Sequence, residues 1–322
     1  MQVALIRARL AADCTIARMP GPAEETVGAS DAGAYADVLR SLDEIPAAPD
    51  PSLRYRHRLD VRAAVRDLVS HREVLVSLAE RQLRARYKRA VLGGLWAVIT
   101  PIVLMVAFSL VFNRVTKVDT GGVPYQLFSY LGLVPWTFLS SSMSGGMNSL
   151  IGNFALVNKV HCPRMVFPLS AVLVAAFDAV LSCIALVVLF GLNSYTPAST
   201  SYWAPLLLLL IVALQVAGLA MFVGVVTVFL RDLKLALPLL LQVGLFATPV
   251  GYGFDELPVA LRMPMAIINP ISAAIEGLRE SVLVGVAPDT GYTLAALGGA
   301  IATFVLSFVV FRRLEPGIAD VA

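Results

Sequence analysis

Only four lysines occur in the 322 residues and none follows a glycine, so the chain has no Gly-x4-Gly-Lys-Ser/Thr phosphate loop and no ATP-hydrolysing site of that kind. Cysteine is equally scarce. Cys14, Cys162 and Cys183 are scattered and odd in number, without a CxxC pair or metal-ligand spacing, and point to neither a disulfide framework nor a zinc site; no metal is expected. Histidine is limited to His57, His71 and His161, far apart and without an acid cluster beside them, so no catalytic constellation emerges for a membrane glycosyl- or acyltransferase. Charged residues make up 15% of the chain against 58% hydrophobic ones, and the apolar residues fall in long blocks rather than the short alternations of a soluble core. The net charge of +3 gathers near the ends of those blocks, which reads as membrane topology and not as nucleic-acid affinity.

What is present is clearest at Arg84 to Pro101, where a basic segment turns within a few residues into an apolar span. A span of about 20 apolar residues matches a hydrocarbon core of about 30 Å, and Lys/Arg just before a span stays on the cytoplasmic side. The apolar piece Val3 to Ala12 is broken by Arg7 and Arg9 and does not read as a signal peptide. Residues 1–53 read as a disordered cytoplasmic tail rich in Ala, Pro, Gly and acids. From Val61 to Arg89 apolar residues recur at helical spacing (Val61, Val65, Leu68, Leu75, Ala79, Leu83), so 54–94 is expected to form an amphipathic helix in the membrane interface, or else a helix packed on the protein's own cytoplasmic surface.

Apolar windows predict six spans, at Leu95 to Phe112, Leu127 to Leu150, Val166 to Leu192, Pro205 to Leu230, Leu235 to Phe254 and Leu294 to Phe311, within a transmembrane unit 95–313. Both ends, including the tail 314–322, then lie in the cytoplasm. Lys159 with Arg164, Arg231 with Lys234, and Arg312 with Arg313 occupy the cytoplasmic turns this requires. Residues 257–285 resist the scheme because Arg262, Glu276, Arg279 and Glu280 interrupt them and Pro258, Pro264 and Pro270 break them. A re-entrant helical hairpin on the outer side accounts for this better than a seventh span, which would carry Arg312 and Arg313 outside.

Several motifs stand in order along the chain. Tyr87, Leu92, Gly93, Trp96 and Pro101 form the pattern Y-x4-LG-x2-W-x4-P; NKVHCPRMVFPLS follows the second span, FLRDLK the fourth, and TPVGY and NPISAAIEGLRESVLVG come later. The set, from about Val61 to Arg313, resembles the permease subunits of ABC exporters for lipid-linked polysaccharides such as O-antigen and teichoic acid. One departure is His161 with Cys162, where that family more often carries an aromatic pair.

The resemblance implies an all-α membrane permease of the bacterial plasma membrane, working as a homodimer with two copies of a nucleotide-binding ATPase that holds ATP and Mg. The permease itself would bind no cofactor. The resemblance places the coupling loop at 152–165, with Asn158, Lys159, His161, Pro163 and Arg164 meeting a groove of the ATPase, and a second contact at Arg231 and Asp232. Pro163 and Pro168 would stiffen its exit. Arg81, Arg84, Arg86, Tyr87, Lys88 and Arg89 sit where a polyprenyl diphosphate would arrive, each positive charge being worth about 1 kcal/mol toward an anionic surface; simple anchoring of membrane lipids is the plain alternative.

A polysaccharide conduit favours aromatic walls on which sugar faces stack, and Trp96, Phe108, Phe112, Phe246, Tyr252 and Phe254 lie on segments able to supply them. Tyr195, Tyr202 and Trp203 read as an outer aromatic belt. Glu276 and Arg279 share a helical face and are expected to brace the outer gate, against the alternative of an exposed pair worth at most about 1 kcal/mol. Asp178 is the one acid deep inside a span, where an ionised carboxylate costs about 2.5 to 3.5 kcal/mol. It has no basic partner within the spans and would be the proton carrier of a rival function, a proton-coupled secondary transporter; no inverted repeat accompanies it.

Overall fold

The computed structural model describes residues 61–88, 90–116, 120–157, 162–197 and 203–318. The tail expected at 1–53 lies outside them. The regular elements among the described residues are all helices: α1 Val61–Ser70, α2 Arg72–Tyr87, α3 Leu95–Phe108 with a π-helical extension Ser109–Thr116, α4 Tyr125–Ser149, and the short α5 Phe154–Val157. There follow α6 Val166–Leu192, α7 Trp203–Phe229, α8 Leu233–Ala247, α9 Val259–Ile268, α10 Pro270–Arg279 with a π turn Glu280–Val284, and α11 Thr290–Leu314.

Among the described residues, four helical segments are long and apolar enough to cross a membrane: Leu95–Phe112, Val166–Leu192, Trp203–Phe229 and Thr290–Gly317. The other two expected spans differ for separate reasons. At 25 residues, α4 is about 37 Å long, but Ser, Thr and Gly dilute its apolar character. It is the innermost helix, packed on α6 and α7. Gly146 and Gly145 allow this, since a Cβ on them would stand 2.7 Å from the Ala220 carbonyl and 2.9 Å from the Ala171 Cβ.

The fifth expected span stops short. α8 ends at Ala247, seven residues before Phe254, and its 15 residues span only about 22 Å. Thr248 precedes Pro249 and takes an extended conformation (φ −86°, ψ 137°), because the proline ring excludes the helical region for the residue before it.

The expected interface helix is broken at His71, whose ring bonds the Asp67 carbonyl at 2.7 Å. Its second half, α2, lies on the first turns of α6, burying Leu78 and Ala79, with Gln82 Nε2 donating to Ser170 Oγ at 2.9 Å. Packing on α6 therefore helps to fix α2. Segment 257–285 forms two short helices, each preceded or opened by proline (Pro258, Pro270), and both pack on α11.

Candidate functional site

The C-terminal end of α2 brings its basic cluster to α6. Arg86 Nη1 pairs with Asp178 Oδ2 at 2.5 Å, and the Tyr87 hydroxyl donates to Asp178 Oδ1. Asp178 thus has the basic partner that its own spans lack, supplied by a helix 92 residues away in sequence. Asp178 is twelve residues, about 18 Å, into α6, so α2 reaches well up the flank of that helix. Burial first, and then the bond to Asp178, push the Tyr87 phenol up to about 12, which keeps it a donor at neutral pH.

Beside this pair a groove of about 400 Å³ runs between α2, α3, α4 and α6. Trp96 and Trp136 line it together with the hydroxyls of Thr137, Ser140 and Ser141. Trp96 joins the groove as a half-exposed ring at the start of α3. The other basic residues scatter. Arg81 donates to Asn153, Arg84 pairs with Glu80 on an exposed face at 2.6 Å, and Lys88 is exposed; Arg89 lies outside the described residues.

Four of the remaining aromatics form a chain at the other end of α3. Phe108 meets Phe112 edge-on at 5.4 Å and Phe246 at 6.0 Å, and Phe112 meets Tyr252 at 6.4 Å. Phe254 stands apart, buried against Tyr292 at 5.3 Å. Tyr195 stacks on Phe190 and donates to the Leu283 carbonyl at 2.6 Å, whereas Tyr202 lies outside the described residues.

Arg279 is not part of an exposed pair: its side chain is 2% exposed. It bonds Glu276 at 3.2 Å and donates to four carbonyls, those of Phe128 (3.2 Å), Pro249 (3.0 Å), Val250 (2.6 Å) and Tyr252 (3.0 Å), while its guanidinium lies 3.6 Å over the Phe128 ring. Three of those carbonyls belong to the unwound stretch after α8. Arg279 supplies these carbonyls with donors that the unwound backbone does not. On the solvent side of Glu276 a pocket of about 320 Å³ is lined by Asp255, Arg262, Glu280 and Asp289. Burial and the neighbouring Glu276 push Glu280 up to about 7.

Asn158, Lys159 and His161 lie outside the described residues, while Pro163 is half-buried just before α6. Arg164 is tied to the last helix, donating from Nη1 to the Glu315 carbonyl and from its backbone N–H to Glu315 Oε1 at 3.4 Å. Glu315 also bonds Arg312 at 3.1 Å. Arg231 and Asp232 form an exposed turn before α8.

The ABC-2 type transporter profile matches residues 73–283, about two thirds of the chain. The chain belongs to the ABC-2 type transporter family. This permease is 31% identical over 211 residues to the O-antigen export system permease protein RfbA of Myxococcus xanthus, covering 64% of this chain and 79% of the relative. It is 25% identical over 249 residues to the protein of the same name from Klebsiella pneumoniae (77% and 95% covered), and 22% identical over 240 residues to the polysialic acid transport protein KpsM of Escherichia coli (73% and 91%). The permease is a multi-pass membrane protein, and permeases of this family draw on a separate ATPase subunit.

Sequence reasoning missed Glu315, Gln82, Ser170 and Trp136. For Glu315 a signal existed, since Arg312 stands three residues before it, on the same helical face. Gln82 and Ser170 are joined across 88 residues, and no local pattern announces such a pair.

Proposed function

We propose that the permease exports a polyprenyl-diphosphate-linked polysaccharide from the cytoplasm across the plasma membrane, as a homodimer driven by two ATPase subunits. The observation that carries this reading is the groove beside Arg86 and Tyr87: an anion-binding end, two tryptophans and a row of hydroxyls stand in one cleft, which suits a phosphate followed by sugar. The names of the relatives, which handle O-antigen and polysialic acid, agree with it. In this reading the chain crosses six times with both ends cytoplasmic, α4 and α8 supplying the remaining crossings and α9 with α10 forming the outer re-entrant hairpin. α8 buries only Leu237 and exposes Leu235, Leu239, Leu240, Val243 and Phe246, a face for a second copy or for lipid. The coupling loop and the turn at Arg231 would receive the ATPase stroke, Phe108, Phe112, Phe246 and Tyr252 would line the conduit, and Glu276 with Arg279 would hold its outer gate.

A proton-carrying role for Asp178 is disfavoured, because both of its carboxylate oxygens already have partners, the Arg86 guanidinium and the Tyr87 hydroxyl. Cells lacking the permease should accumulate diphosphate-linked glycan on the cytoplasmic face of the membrane and lose it from the surface. Normal surface glycan in such cells would sink the reading.

A further inference from the structure

Asp178 and Arg86 are an unusual pair to find on a substrate groove. The cleft has its basic residue, yet a carboxylate from the opposite wall already occupies it. Both Asp178 oxygens are engaged, Oδ2 by Arg86 and Oδ1 by the Tyr87 hydroxyl. A guanidinium and a hydroxyl converging on two oxygens of one anion would serve a phosphate equally well, because the guanidinium fork fits either group. Arg86 remains 44% exposed while Asp178 is 15% exposed, so the cation is accessible from the groove and the acid is the inner member.

We propose that Asp178 is a specificity-determining residue that occupies the phosphate position of the groove, so that a diphosphate displaces it and a single phosphodiester does not. This deepens the reading above and rests on it. A bilayer phospholipid offers one negative charge, no more than Asp178 itself, and gains nothing by exchange. A diphosphate brings two or more, so its attraction to Arg86 exceeds that of one carboxylate. Displaced Asp178 still lines the open groove, and its return to Arg86 favours release of the lipid. A groove left permanently basic would instead fill with the phospholipids that surround it in large excess.

The test uses the full permease with its ATPase partner in nanodiscs, titrated with farnesyl diphosphate and, separately, with short-chain phosphatidylglycerol. Wild type should prefer the diphosphate by about tenfold or more. Asp178→Asn should bind both probes more tightly and lose most of that preference, whereas Arg86→Gln should lose diphosphate binding by about tenfold. Asp178→Ser, uncharged and smaller, gives a second route to the same result should the first variant fail to assemble. Unchanged or weaker binding in the Asp178 variants, with wild type binding the diphosphate, overturns this inference and leaves the export reading standing. Absence of diphosphate binding in wild type and in the Asp178 variants overturns both.

Discussion

Arg86 and Arg279 are the same residue type put to opposite uses at two places in the fold. Arg86 is nearly half exposed, faces one carboxylate and one hydroxyl-rich cleft, and is free to change partners. Arg279 is sealed, with four carbonyls, a carboxylate and a phenyl ring around it, so that no change of partner is possible without opening the fold. The difference lies in what each arginine holds: a side chain that another anion replaces, or backbone whose carbonyls have nowhere else to go.

Arg279→Ala is expected to give the largest effect, since it leaves several buried carbonyls without that donor and Glu276 without its cation; a loss on the order of 3–5 kcal/mol and poor yield in detergent are expected. Arg279→Lys should rescue little, because an ammonium cannot reach the four carbonyls in the guanidinium's planar arrangement. A wild-type melting curve for either variant would break the contrast. Gly132→Ala comes next. A Cβ there would stand 2.8 Å from Arg279 Nη2 and 3.0 Å from the Val250 carbonyl, and because the guanidinium is pinned it has no room to give. Despite the helical preference for Ala, a net loss of about 1–3 kcal/mol is expected in thermal unfolding.

The pH dependence sharpens the comparison in the neighbourhood of Arg279. Glu280 titrates at about 7 in the fold and near the ordinary carboxylate value when unfolded, so the folded state holds the proton more tightly. Its contribution to stability is therefore present at acid pH and fades as pH rises from about 4.5 through 7. Melting temperature should fall over that window in wild type, and Glu280→Gln should flatten the fall. The smallest effect belongs to Arg84, 75% exposed and paired with Glu80 on the same helix. Arg84→Ala should cost less than about 1 kcal/mol and leave diphosphate binding unchanged, in contrast to Arg86 two residues on.

The spans around α3, α6, α7 and α11 were legible because apolar length alone decides them. α8 was overrun by seven residues because its apolar composition continues through Pro249, and only the backbone consequence of that proline stops the helix. The break at His71 was invisible for the converse reason: apolar periodicity persists across it, while only the backbone angles of His71 (φ −99°, ψ 19°) depart from the helix. At the site, Arg86, Tyr87, Trp96 and Arg279 were all singled out from sequence. What they touch was not. Asp178 looked unpaired because its partner comes from a different helix, and Arg279 was expected to pair with Glu276 alone because its carbonyl acceptors carry no signature in the residue letters.

The most direct test of the central claim is glycan translocation by the permease and its ATPase partner reconstituted in sealed vesicles with a polyprenyl-diphosphate glycan on the outer, cytoplasm-equivalent leaflet. The account predicts that the glycan moves into the lumen only when ATP is supplied outside, that a pH gradient alone moves none, and that Asp178→Asn retains ATP-driven movement while accepting phosphodiester lipids. Movement driven by a pH gradient without ATP, abolished by Asp178→Asn, would contradict it.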